Sequence, residues 1–198
     1  WPVTSWSAID YYGDKKAFYY QTQRSFDPLL VHVYQNNSEV EIYTINDNQT
    51  DFSGKLELKI IDFQGNKLWN DFVAVTSKSN SSQIQFKIKE KLIQQFDKKE
   101  IVLQAEFISE NQIKEAIHFF AKPKELAWKK PTIQVNQIDK NTIELTSDVV
   151  AIGAVLQEQG ITFDTNYFDL LPNQKKIIKT SDFVQNLKIK TLFDTVKN

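Results

Sequence analysis

The sequence contains neither cysteine nor methionine. The first absence removes disulfide frameworks, thiolate metal sites and cysteine nucleophiles together. The second means that the numbered chain lacks its own translation start; it opens on Trp1-Pro2. That opening has no basic n-region and no long apolar stretch, so it does not read as a signal peptide. The simplest expectation is a piece of a longer polypeptide. No window approaches the roughly 20 apolar residues of a membrane helix, and no membrane partner is expected. Charge of one sign is also missing: 24 Lys and Arg stand against 25 Asp and Glu, a net of -1. A nucleic-acid partner would need a basic face, so none is expected. Glycine is scarce, at 5 residues, which disfavours a parallel α/β fold with glycine-rich βα turns.

What is present is aromatic and alternating. Hydrophobic residues make up 41% and aromatic residues 13% of the 198, with 14 Phe, 7 Tyr and 4 Trp. Residues 1–25 stand apart. Asp10-Tyr11-Tyr12-Gly13 reads as a turn, Asp14 as a cap, and Lys15 to Arg24 as an amphipathic helix with no evident partner to lie on. From Phe26 the period changes to two. Strands are expected over 29–34, 39–45, 54–62, 68–75, 82–88, 100–108 and 115–120, with a short helix within 89–96. Seven or so short strands with frequent turns are a sandwich signature. Pro123, Trp128 and Pro131 bracket a stretch without alternation, the best linker candidate. A second β unit follows, with strands over 132–138, 142–147, 149–156, 161–163, 167–171, 175–180 and 187–192. The expected division is 1–25, 26–122 and 123–198.

Spacing reveals no catalytic constellation. His32 and His118 fall in strands without clustered ligands, so no metal and no cofactor is expected. There is no Gly-x-Ser-x-Gly elbow, no phosphate-cradling loop and no dinucleotide fingerprint. Acids mostly occupy alternate polar strand positions, which is how a sandwich dresses its wet face, and no catalytic pair is assigned. Asp164 to Asp169 resembles a calcium loop but lacks the glycine and distal Glu, and reads as a turn held by Asp and Asn side chains. Asn36, Asn48 and Asn80 head Asn-x-Ser/Thr sequons. Trp1, Trp6, Tyr11 and Tyr12 crowd the start. They could edge a carbohydrate site, although packing explains large aromatics as well.

The segment Trp1-Pro2-Val3-Thr4-Ser5-Trp6-Ser7-Ala8-Ile9-Asp10-Tyr11-Tyr12-Gly13, with Lys16 following, resembles the stretch that closes the catalytic barrel in β-mannosidases of glycoside hydrolase family two. Further matches follow in family order. Asp27 to Val31 resembles the exit from the last barrel helix, and Ile117 to Lys124 the end of the first C-terminal sandwich. Leu145 to Asp148 and Phe163 to Pro172 resemble parts of the final immunoglobulin-like domain. Asn173 departs from the glycine often found after that proline, and Asp14 and Lys15 depart from Arg/Lys and an aromatic.

The resemblance implies an all-β chain: two immunoglobulin-like β-sandwiches preceded by a short helical remnant of a (β/α)8 barrel. It implies a parent that hydrolyses terminal β-D-mannose residues with retention, is periplasmic or secreted, and forms a possible homodimer. Both catalytic glutamates would lie upstream of Trp1 on barrel strands, leaving no catalytic residue here and an inactive fragment. Trp1 and Trp6 map near the last barrel strand and are the only substrate-proximal candidates. The sandwiches would brace their own barrel; the alternative is a carbohydrate-binding module for β-mannan oligosaccharides.

Overall fold

Runs that alternate apolar and polar residues can bury one face of an extended chain and wet the other. In the computed structural model, which describes residues 7–36 and 38–195, such runs form thirteen strands among the described residues. They divide between two compact units. One is Asp27–Trp128; the other joins the described parts of Trp1–Phe26 and Lys129–Asn198.

In the first unit, β1 (Leu29–Gln35), β2 (Glu39–Asn46) and β5 (Ser81–Lys89) form one antiparallel sheet in the order β1-β2-β5. The second sheet holds β3 (Phe52–Asp62), β4 (Lys67–Ser77), β6 (Ile101–Ser109) and β7 (Gln112–Phe119), in the order β4-β3-β6-β7. Leu56, Leu58 and Ile60 alternate with Lys55, Glu57 and Lys59, so one side of β3 is dry and the other carries ion pairs. The dry side joins Val40 and Ile42 of β2 and Leu103, Ala105 and Phe107 of β6 in one core. Burying each such aliphatic side chain contributes about 1.5–3 kcal/mol. Trp69 packs against this core from β4. Asn46, buried at the end of β2, donates to the carbonyls of Thr50 (2.9 Å) and Ser77 (3.1 Å) and accepts from Asn48 N. A loop that would otherwise strand backbone carbonyls is thereby satisfied. The short helix α2 (Glu90–Ile93) buries Ile93 against the same core.

The second unit contains β8 (Ile133–Asp139), β9 (Thr142–Ser147), β10 (Ala151–Gln157), β11 (Phe168–Leu170), β12 (Lys176–Lys179) and β13 (Lys188–Lys190). Its sheets run β12-β9-β8 and β11-β10-β13. Ile143, Leu145, Leu156, Phe168 and Ile178 are central to its core. Asn173 adopts φ 61° in the turn after Pro172. Asparagine tolerates that left-handed conformation, so the turn forms without the glycine.

Two local expectations are corrected. Residues 161–163 are not a strand: they contribute a single bridge, Phe163 to Thr180. The Ser181 hydroxyl accepts from Thr162 N at 2.9 Å, so a side chain interrupts the ladder. Asp14 does not cap the N-terminal helix. Instead, the Asp10 carboxylate holds Tyr12 N and Asp14 N, each at 2.9 Å, around Gly13 at φ 89°. The helix α1 (Ala17–Ser25) therefore begins later, after Lys16 and without a side-chain cap.

Candidate functional site

The helix α1 has nine residues and no cap, a length at which an isolated helix is marginal in water. It is held by tertiary contacts, and these come from the loop 163–169 of the same unit. The loop is built first. Asn166 is buried and its amide imitates a strand partner: Nδ2 donates to Leu156 O (2.9 Å), and Oδ1 accepts from Leu156 N (2.8 Å). Asp164 ties the other side, its carboxylate accepting from Lys179 N at 2.9 Å. Tyr167 takes φ 54°, an uncommon conformation for an aromatic residue.

Onto this loop α1 places two side chains one helical turn apart. Arg24 donates from Nη1 to Asn166 O (3.0 Å) and from Nη2 to Tyr167 O (2.9 Å), a planar fork across successive carbonyls. Gln21 Oε1 accepts from the same Nη2 at 3.3 Å. Tyr20 is buried, its ring centre 5.9 Å from that of Tyr167 and its hydroxyl 3.4 Å from Phe163 O. Burial pushes the Tyr20 phenol above its usual range, with the neighbouring tyrosines acting the same way. Burial lowers the Arg24 pKa, and Asp169 opposes that change. Asp169 itself accepts from Gly153 N at 2.8 Å, where β10 bulges at φ 61°. Its carboxyl is pushed up by burial, against the pull of Gly153 N–H, Arg24 and Lys176. The site is a clamp: it offers backbone carbonyls to a guanidinium and presents no nucleophile beside a base.

The two tryptophans singled out as substrate-proximal, Trp1 and Trp6, lie outside the described residues. Tyr11 and Tyr12 are highly exposed and meet edge to face at 85°. His118 is turned inward, bonded to Gln35 Oε1 at 3.0 Å and edge-on to Phe120. Among the described residues no three of His, Cys, Asp and Glu gather as a metal site. No helix among them is long and apolar enough to cross a membrane. Sequence patterning does not single out Tyr20 and Arg24 as clamp residues; the signal available was a basic residue in the last turn of an amphipathic helix.

Two domain families match. Residues 38–125 fit the family described as a mannosidase Ig/CBM-like domain, and residues 128–195 fit the mannosidase Ig-fold domain. The chain is thus a pair of immunoglobulin-type sandwiches of the mannosidase kind. β-Mannosidase B of Thermothelomyces thermophilus is 22% identical over 98% of this chain. The crystal structure of β-D-mannosidase from Dictyoglomus thermophilum superposes with a TM-score of 0.83 at 25% identity, over 96% of this chain. An exo-chitosanase of Amycolatopsis orientalis shares the fold at TM-score 0.61 and 10% identity, over 94% of this chain and 29% of its own. The chain spans 26% of the Thermothelomyces protein and 25% of the Dictyoglomus one. It belongs to the C-terminal immunoglobulin-type region of the family-two β-mannosidases.

Proposed function

We propose that the chain is the non-catalytic support of a retaining β-mannosidase that removes terminal β-D-mannose. In this reading, residues 1–25 are the end of the catalytic barrel and the catalytic glutamates precede Trp1. The two sandwiches, 26–122 and 123–198, brace the barrel. The observation that carries the reading is the clamp. A helix at the start of the chain is held on the second sandwich by Arg24 and Tyr20, so whatever α1 is joined to inherits a fixed attachment. A parent that acts as a homodimer and is periplasmic or secreted is compatible with the same reading.

The test uses both forms of the protein. The 198-residue chain alone is expected to give no turnover of an aryl β-mannoside, and activity that co-purifies with it would overturn the reading. In the full-length enzyme, Tyr20→Ala with Arg24→Ala is expected to shorten the half-life of activity at elevated temperature. Initial kcat at low temperature should stay near wild type, because the clamp touches no reacting atom. An unchanged half-life would remove the brace.

A further inference from the structure

An open sheet has edges, and an edge strand shows half of its backbone donors and acceptors to whatever approaches. In the sheet β4-β3-β6-β7 of the first sandwich, β4 holds one edge with 11 residues, long for such a strand. Phe63 N, continuing β3, donates to Glu100 O at 3.2 Å, so odd-numbered residues of β3 bond toward β6 and even-numbered ones toward β4. Asp62 N accordingly donates to Asn66 O at 3.0 Å across the β3-β4 turn. Asp71, opposite Leu58, therefore bonds to β3, and Phe72, opposite Glu57, turns its N–H to the open side. The other edge is covered: β1 lies along β7, with Lys114 bonded to Asp27 at 2.6 Å and His118 to Gln35 at 3.0 Å.

The chain breaks its own pattern at this open edge. Residues directly opposite share a face, so Trp69, Asp71 and Val73 stand on the side of Ile60, Leu58 and Leu56. Trp69 and Val73 pack against the core and Leu58 is fully buried, yet Asp71 is exposed. A carboxylate thus occupies an inward position in a strand that otherwise alternates. It is the only charge among residues 68–77, which contain no proline. Leu68 and Phe72 in that stretch are 42% and 62% exposed. An apolar, proline-free run of strand formers on an edge suits pairing with a copy of itself. Asp71 Oδ1 accepts from Phe72 N at 2.8 Å, so the carboxylate covers an amide that an added strand would use.

We propose that Asp71 is a guard that keeps β4 from pairing with the β4 strand of a second copy of this chain. It acts twice. Its oxygen occupies the Phe72 N–H, and its charge makes addition costly, because the new interface would strip water from one carboxylate in each copy. No cation lies among residues 68–77 to meet them. The antiparallel register that sets Lys67 against Asp71 pairs residues 67–71 alone, too short an overlap to hold two chains together.

The experiment is sedimentation velocity of the 198-residue chain over a concentration series, with thermal melting in parallel. Asp71→Val restores the alternation and is expected to melt at or above the wild-type temperature. It should associate at a concentration roughly a hundredfold lower, about tenfold for each carboxylate removed from the interface. Phe72→Pro removes the edge N–H without touching the β3 ladder; added to Asp71→Val, it should return the chain to wild-type behaviour. Should Asp71→Val lose its fold, Asp71→Thr, uncharged and a good strand former, takes its place with the same expectations. A folded, uncharged variant that sediments as wild type overturns the guard, and so does association that persists with Phe72→Pro. A wild-type chain whose own association is abolished by Phe72→Pro also overturns it, since the edge would then be in use.

Discussion

Replacing Arg24 by alanine tests the clamp directly. Each hydrogen bond from a charged donor contributes about 1.5–3 kcal/mol, and Arg24 makes two to loop carbonyls. Against that gross gain stand the water that re-solvates the half-buried carbonyls and the rotamer freedom that arginine regains, about 1.5–2 kcal/mol. A net loss of about 2 kcal/mol remains, a factor of roughly 30 in the equilibrium between docked and undocked helix. Because α1 alone is marginal, undocking and unwinding are one event. Amide exchange in Ala17–Ser25 should accelerate by roughly that factor, while Leu56, Leu58 and Leu103 in the first sandwich exchange as before. Arg24→Lys keeps the charge but loses the planar fork, and should fall about halfway. Unchanged exchange in α1, or equal acceleration in both sandwiches, would refute the reasoning.

Two further outcomes concern the first sandwich. A Cβ at Gly54 would lie 2.3 Å from Ile108 O and 2.9 Å from the Phe107 ring, so Gly54→Ala should lower stability by about 1–3 kcal/mol, read from the urea midpoint. His118 has its pKa lowered by burial and then by His32; its share of stability is complete above the unfolded value of about 6.5 and drains as pH falls toward the lower folded value. His118→Gln should flatten the pH dependence of the melting temperature on that acid side, and an unaltered slope would count against the assignment.

Most strand positions were legible because each long strand buries one face. In β3, Leu56, Leu58 and Ile60 cannot be shifted by one residue without exposing all three. The Asp164 to Asp169 turn was also legible from its Asp and Asn content, since those side chains bond to nearby backbone. The strand expected at 161–163 was not, because Thr162 finds its partner in the Ser181 hydroxyl, a long-range bond that no local pattern announces. The cap expected at Asp14 failed for a similar reason: Asp10 reached the turn first. Alternation placed Tyr43 and Glu41 outward, but it could not bring Tyr34 opposite Glu41, because that needs the β1-β2 register.

The clamp was the hardest feature to read, and the difficulty has a physical meaning. Arg24 and its acceptors are separated by 142 and 143 residues, with the whole first sandwich lying between them in sequence. A helix with local caps can form before its partner exists. A nine-residue helix without a cap cannot persist until Asn166 has locked onto Leu156 and turned two carbonyls outward. The helix therefore depends on the loop for its stability: the carbonyls of Asn166 and Tyr167 are the acceptors that Arg24 needs. The loop-closure cost of so long a separation grows only logarithmically with length, so two charged hydrogen bonds and one buried tyrosine suffice to offset it.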